Sequence, residues 1–120
     1  MKRKFRLTRS TEFKRVRQSG KSFAHPLIVL IAEASQQEAT RVGVSAGRSI
    51  GKAVERNRAK RRMREAMRPW LPNLRPGWNL ILLARRPLLQ ADFPQIQAAL
   101  SQLLRRSNLL NSTDDQNDIA

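Results

Sequence analysis

The sequence predicts an α+β protein, a small α/β sandwich on a single mixed sheet, with elements in the order α-β-β-β-α-β-α. Its 120 residues are the length of one domain. Continuous apolar runs typical of buried strands alternate with segments that space their apolar residues as helices do. The chain has no cysteine, so apolar packing must hold it without disulfides. We therefore expect helices to cover one face of the sheet.

The first helix is predicted in STEFKRVRQSG, residues 10–20. Thr8 or Ser10 can cap its start, because hydroxyl side chains accept hydrogen bonds from free backbone N–H groups. Phe13 and Val16 form an i, i+3 apolar pair that can dock on the sheet.

Two of the three early strands can be located from their residues. Residues 27–34, LIVLIAEA, form an apolar run rich in β-branched side chains, which predicts a central strand. In residues 40–47, TRVGVSAG, Val42 and Val44 alternate with their neighbours. This alternation predicts a second strand with both valines on one face.

The most informative segment is KAVERNRAKRRMREAMRPW, within a helix predicted from about Gly51 to Trp70. At about 100° per residue, its apolar side chains form one stripe that can dock on the sheet. The stripe contains Ala59, Met63, Ala66, Met67 and Trp70. The opposite side carries Asn57, Arg58, Arg61, Arg64 and Arg68, with Lys60 at the margin.

This arginine row differs from an ordinary solvated helix face. Solvated faces mix both signs for i, i+4 pairing, whereas this row is almost free of glutamate. Arginine also suits bidentate recognition of phosphate. The row therefore predicts a surface that binds a large anion.

A late strand and a last helix complete the predicted order. Residues 78–87, WNLILLARRP, predict another buried strand, and Asp92 is placed to cap a helix over residues 92–107. That helix keeps i, i+3, i+4 spacing at Ile96, Ala99, Leu100, Leu103 and Leu104. Residues 108–120 are polar and weakly acidic, which predicts a disordered tail after a single domain at residues 1–107.

The charge of the chain indicates a polyanionic partner. Its 24 Lys and Arg against 9 Asp and Glu give a net charge of +15. Nineteen of the basic residues lie in two blocks, residues 1–25 and 41–68. Such blocks are typical of phosphate contact, with a membrane surface as the main alternative. No run approaches 18 apolar residues, so we expect no membrane span.

The segment RVGVSAGRSIGKAVERNRAKRRMRE, residues 41–65, resembles the signature of the bacterial ribonuclease P protein component. The Arg56-Asn57-Arg58 triplet followed by Lys60, Arg61 and Arg64 matches the family's RNR motif. The likeness extends to RLTRSTEFKRVRQSGKSF and LARRP, and covers roughly residues 5–107. The resemblance implies a protein subunit of the ribonucleoprotein that removes 5′ leaders from precursor tRNA, with the chemistry done by the RNA and Mg²⁺.

The resemblance also implies two binding surfaces and an unusual topology. Contacts to the catalytic RNA would come from Lys52, Arg56, Asn57, Arg58, Lys60, Arg61, Arg64 and Arg68. A cleft between the first helix and the sheet would hold the single-stranded leader through Phe13, Arg9, Arg17, Arg48, Arg85 and Arg86. The crossover between the strands on either side of the basic helix would be left-handed, against the general rule.

Three positions depart from the family's pattern. Arg17 stands where an aromatic residue is expected, Ile31 where one can occur, and Ser49 where a second lysine is common. The chain has no Tyr. Stacking in the cleft is therefore expected to be weaker, with Arg17 offering its guanidinium plane or a phosphate contact.

No catalytic constellation is evident for the chain alone. General acid–base catalysis needs a positioned His or carboxylate, and the only His is His25, for which we predict a structural role in a loop. The glutamates form no clustered pair, and neither metal-ligand spacing nor a Gly-rich phosphate loop occurs. We expect no catalytic residue and no metal ligand in the protein, with Mg²⁺ held mainly through RNA.

The expected partners are ribonuclease P RNA, with one protein per RNA, and precursor tRNA, in the cytoplasm. We expect no membrane partner and no small-molecule substrate. Two other functions remain open at this point: a structural RNA-binding protein of the ribosomal kind, and a DNA-binding protein with the arginine helix in a major groove. The second fits less well, because a strand precedes the basic helix where a helix-turn-helix needs a helix.

Overall fold

The computed structural model describes residues 6–111 and confirms the predicted α+β class and order. The elements are α1 (Ser10–Ser19), β1 (Lys21–Ala24), β2 (Ile28–Ala34), β3 (Arg41–Ser45), α2 (Ala53–Met67), β4 (Trp78–Ala84) and α3 (Phe93–Arg106). Short 3-10 helices follow β3, α2 and β4, at Arg48–Ile50, Arg68–Asn73 and Arg86–Gln90. The strand that the sequence pattern did not locate is β1.

The four strands form one mixed sheet in the spatial order β1-β2-β4-β3. The β1–β2 and β2–β4 pairs are antiparallel, and β3 pairs with β4 in parallel. A parallel pair needs a crossover connection, and α2 lies in it. This β3–α2–β4 unit is the crossover for which the family resemblance implies a left hand.

The main core lies between one face of the sheet and the helices α2 and α3. Val42 and Val44 both face it, as their alternation predicted. Every apolar position predicted for α3 is buried. In α2 the buried residues are Ala59, Met63, Ala66 and Met67, while Trp70 is half-buried against the same core.

The second face of the sheet is also covered in part, so the expectation of a single covered face was wrong. Val16 of α1 is fully buried against Leu7, Ile31 and Ile81. The predicted apolar pair Phe13 and Val16 did not show which face of the sheet α1 would cover, and Val16 is the one fully buried residue of this helix. A helix that touches the sheet through so few residues leaves part of that face open.

Two helix boundaries differ from the sequence prediction. Arg9 occupies the N-cap position of α1 without a side-chain cap, so neither Thr8 nor Ser10 has the predicted role. α2 ends at Met67 instead of Trp70, because the proline after Arg68 begins a 3-10 helix. The predicted cap of α3 is confirmed: the Asp92 carboxylate accepts a 2.9 Å hydrogen bond from the Gln95 N–H.

The ordered domain extends beyond residue 107, so the predicted start of the tail at residue 108 was too early. Leu109 and Leu110 are buried in the main core, and Leu110 forms a β-bridge with Leu74. Their apolar side chains were overlooked within a polar stretch. The rest of the predicted tail, residues 112–120, and residues 1–5 lie outside the described part of the chain.

A polar network around Glu33 fastens α1 to the sheet. Its carboxylate accepts hydrogen bonds from Arg15 at 3.3 Å, Ser19 at 2.9 Å and Asn79 at 3.2 Å. Burial raises the pKa of Glu33, but the hydrogen bonds from Asn79 and Ser19 and the charge of Arg15 outweigh it, so the pKa is lowered overall. Folding therefore favours the ionised carboxylate.

Replacing Glu33 with Gln should lower the free energy of unfolding by about 1–2 kcal/mol at neutral pH, because charged hydrogen bonds to Arg15 and Ser19 are lost. A lowered folded pKa stabilises the protein above the ordinary value of 4.5, and this contribution is lost as pH falls through the folded pKa. Urea titrations across the acidic range should show a weaker pH dependence in the variant. Glu38→Gln, at an exposed turn position, is the control. Equal acid sensitivity of Glu33→Gln and wild type would contradict this prediction.

Candidate nucleic-acid interface

The outer side of α2 presents basic side chains to solvent. The exposed residues predicted for this surface are Lys52, Asn57, Arg58, Arg61 and Arg68. Gly51 directly precedes Lys52, the N-cap residue of α2, and its φ of 144° and ψ of −154° are accessible to glycine. The Glu55 carboxylate accepts a hydrogen bond from the Lys52 N–H at 3.2 Å, which satisfies one free donor of the first turn.

A second basic stripe of α2 is half-buried. Arg56, Lys60 and Arg64 follow one another at four-residue intervals, and the Nε atoms of Arg56 and Arg64 are buried with no partner among residues 6–111. Arg64 shares a recess with Arg6, and burial, followed by the charge of Arg6, lowers the pKa of Arg64. Cations in this arrangement are stabilised by an added anion.

Arg62 of α2, and Arg68 directly after the helix, have partners within the described part of the protein. Arg62 donates hydrogen bonds to the carbonyl oxygens of Leu88 at 3.3 Å and Ala91 at 2.6 Å, which ties α2 to the segment before α3. Arg68 forms an exposed ion pair with Glu65. The sequence prediction left Arg62 out of the arginine row, but only the structure shows its partners, because they lie far away along the chain.

An open groove runs beside α1 on the second face of the sheet. Phe13 and Arg17 line it together with Thr8 and Ser45, and its volume is about 560 Å³. The Phe13 ring lies directly on Gly43 of β3: a Cβ atom at Gly43 would be 2.4 Å from the ring. Glycine is therefore required for the ring to lie against the strand.

At Ser45 the groove meets a row of side chains that crosses the same face of the sheet and that we take as its floor. Ala24, Val29, Leu83 and Ser45 are register neighbours on the four strands. Val29 and Leu83 are partly buried against the core under α1, and Ser45 lines the groove. Since strands in a sheet lie about 4.8 Å apart, the row is about 14 Å long. The groove thus combines an apolar floor with a basic and aromatic wall.

Two other residues predicted near the leader, Arg9 and Arg48, are not among the side chains that line the groove. Arg9 is exposed at the start of α1, and Arg48 is exposed in the 3-10 helix that follows β3. Ser49, the position where the family often has lysine, is exposed beside it. Ile31 is buried beneath α1, so it is not available to stack on a base.

The predicted basic pair Arg85 and Arg86 is divided between two sides of the sheet. Arg85 continues the extended strand two residues after Leu83, which places it on the groove side. Its Nη1 donates a 3.5 Å hydrogen bond to the His25 carbonyl. Arg86 instead lines a recess with Glu55, at the start of α2. The structure therefore does not bring Arg86 together with Phe13 and Arg17.

The described residues offer no metal centre. Among residues 6–111, no group of three His, Asp or Glu residues could hold a metal ion. His25 accepts a 3.0 Å hydrogen bond at Nδ1 from the Leu27 N–H, in line with the predicted role in a loop. None of the helices in this part of the chain is long and apolar enough to cross a bilayer.

Comparisons with known proteins point in one direction. The sequence model of the Ribonuclease P family matches residues 1–108. The chain is 41% identical to the ribonuclease P protein component of Chloroflexus aggregans, over 97% of this chain and 87% of that protein. It resembles the Staphylococcus aureus RNase P protein structure with 27% identity and a TM-score of 0.80, covering 89% of this chain and 98% of that one. A variant of that protein described as defective in mRNA degradation activity gives 25% identity and a TM-score of 0.81, covering 89% and 91%.

The fold and its surfaces define a class: a small basic α+β protein that binds RNA as part of a ribonucleoprotein. Within residues 6–111, an arginine-rich helix and an open groove are candidate binding surfaces. The chain belongs to the ribonuclease P protein component family. It is the protein subunit of the ribonucleoprotein endoribonuclease that processes tRNA, and ribonuclease P RNA is its partner. A ribosomal-type structural role is not favoured.

The contrast between Arg61 and Arg62 gives a test of which arginines face RNA. Arg61→Gln should reduce the slope of log K against log salt for ribonuclease P RNA by about 0.7–0.9, with stability changed by less than about 0.5 kcal/mol. Arg62→Gln should instead cost about 1–3 kcal/mol of stability and leave the slope unchanged, because its hydrogen bonds are internal. Filter binding at several salt concentrations and urea unfolding measure both. The assignment fails if the two variants exchange these effects.

Proposed function

We propose that α2 is the surface that binds the catalytic RNA. The proposed contacts are Lys52, Arg56, Asn57, Arg58, Lys60, Arg61, Arg64 and Arg68. The proposal rests on one observation: α2 has a buried apolar stripe and, on its other side, an exposed arginine row with few acidic neighbours. Guanidinium groups in such a row suit phosphates of a folded RNA, whatever its sequence.

We also propose that the groove beside α1 binds the single-stranded 5′ leader of precursor tRNA. Phe13 offers a partly exposed ring for stacking on a base, and Arg17 and Lys14 are exposed on the same wall. An apolar floor with a basic wall suits an unpaired strand, which presents both bases and phosphates. Arg9, Arg48 and Arg85 would meet the backbone at the margins. Arg86 is the weakest member of this set, because it turns towards α2.

Mg²⁺, in this proposal, acts through the RNA. The chain's described residues do not fit a magnesium site, because no cluster of carboxylates is available. The protein would contribute by lowering the repulsion between two polyanions, the catalytic RNA and its substrate. One protein per RNA and a cytoplasmic location complete the proposal.

Phe13→Leu tests the leader groove. Leucine keeps apolar volume over Gly43 but removes the aromatic face, so stability should change little. Stacking is worth about 1–3 kcal/mol per base, so affinity of the reconstituted holoenzyme for precursor tRNA should fall by about fivefold or more. Affinity for mature tRNA, which lacks a leader, should stay the same. Arg17→Gln should give the same pattern with a smaller salt dependence. Equal losses for both tRNAs would remove these residues from a leader site.

The chain without RNA should leave precursor tRNA intact, because its described residues contain no acid–base pair or metal cluster. The similar S. aureus protein is described with an mRNA degradation activity. The experiment should therefore also include a single-stranded mRNA as a second RNA. We expect neither RNA to be cut by chain purified free of RNA. Cleavage that follows the folded protein through a further column and survives removal of RNA would contradict this expectation.

A further inference from the structure

The floor of the groove continues past α1 to the open edge of the sheet. Its row begins at Ser45 of β3, next to Phe13 and Arg17, and ends at Ala24 of β1. Ala24 is exposed, and within the described residues 6–111 β1 pairs with no strand other than β2. A strand of RNA that follows the row across the sheet would therefore leave the protein over this edge.

Two arginines from other elements bond to successive backbone carbonyls where β1 ends. Arg106, the last residue of α3, donates a 2.7 Å hydrogen bond from Nη1 to the Ala24 carbonyl. The His25 N–H donates to the Ile28 carbonyl, so the backbone polar groups of His25 face β2. Since successive residues of a strand alternate in direction, the Ala24 carbonyl points away from β2, towards the open edge. Arg106 therefore reaches from the helical side of the sheet around to its edge. Arg85 is bonded to the next carbonyl along the chain, that of His25.

The positive charge at this edge is not neutralised locally. The ion pairs within residues 6–111 are those of Arg15, Arg41 and Arg68, so neither Arg85 nor Arg106 has a described carboxylate partner within 4.0 Å. Both arginines are exposed, and each uses one Nη for the backbone. Their remaining N–H donors are free to meet a phosphate.

The arrangement of helices gives the groove a direction. α2, the proposed site of the catalytic RNA, contacts β3 and β4, whereas α3 contacts β1 and β2. A leader that starts at the catalytic RNA would enter the groove on the β3 side. Its nucleotides farthest from the cleavage point would then arrive at β1 and Arg106.

We propose that Arg106, together with Arg85, forms an exit subsite that binds phosphates of the leader remote from the cleavage point. This inference rests on the proposed leader groove. It assigns a binding residue to α3, a helix whose other role is to cover the core. Leader length then sets affinity, because short leaders end before they reach the edge.

The competing interpretation is that Arg106 only protects the edge strand by occupying a free carbonyl. The two interpretations predict different effects of an Arg106 substitution on tRNAs with and without a long leader. A structural cap would affect every tRNA equally or none, whereas a phosphate contact acts only on leaders that are long enough.

The experiment measures affinity of the reconstituted holoenzyme for mature tRNA and for precursors with leaders of about two and about ten nucleotides, since single-strand grooves take about four nucleotides or more. Arg106→Gln should weaken binding of the long-leader precursor about three- to tenfold and reduce its salt slope by about 0.7. Binding of the other two tRNAs should not change. Arg106→Lys keeps the charge and should recover most of the affinity.

Arg105→Gln is the matched control, because it removes the same charge one residue away on α3, where the Arg105 Nε bonds to Ser101. It should leave all three affinities unchanged. Arg17→Gln serves as the test of the groove itself and should weaken long-leader binding. If Arg17→Gln has its effect and Arg106→Gln has none, the exit subsite is wrong and the groove stands. If neither variant changes the affinity in a way that depends on the leader, both proposals fail.

Discussion

Because β3 and β4 pair in parallel, the chain must cross from the end of one strand to the start of the other, and α2 makes that crossing. The apolar stripe of α2 is thereby held against the sheet, and its arginines are left on the outer surface. The same pairing aligns Ser45 with Leu83 and so sets the β3 end of the groove floor. Both proposed binding surfaces therefore follow from one strand pairing.

Most positive charges of the described residues lie on the surface, and few are neutralised by ion pairs. A net charge of +15 opposes compaction, and the described residues contain three ion pairs. Two of these, Arg15–Glu33 and Arg41–Glu12, fasten α1 to the sheet and so shape the groove. Most other cations face solvent, where self-repulsion is weakest and phosphate can replace counterions.

Close approach between α1 and β3 sets the shape of the groove. Gly43 lets the Phe13 ring lie against the backbone, and Val16 closes the small core beneath the helix. The Glu33 network fixes the opposite side of α1, away from the groove. With α1 held on that side, Arg17 stays above the open row of the sheet instead of folding onto it.

The sequence by itself determined the class of fold, the position of α2 and which of its faces is apolar, because these depend on residue spacing along one helix or strand. The motif at residues 56–64 also sufficed to suggest the family. Only the tertiary structure decided which arginines form hydrogen bonds within the protein. Arg62 bonds to residues 26 and 29 positions away, and Arg106 bonds to one 82 positions away. Nor could spacing show that Leu109 and Leu110 return to the core, or that Ala24, Val29, Leu83 and Ser45 align. Strand register and long-range hydrogen bonds join residues that are distant in the chain, and no local pattern encodes that distance.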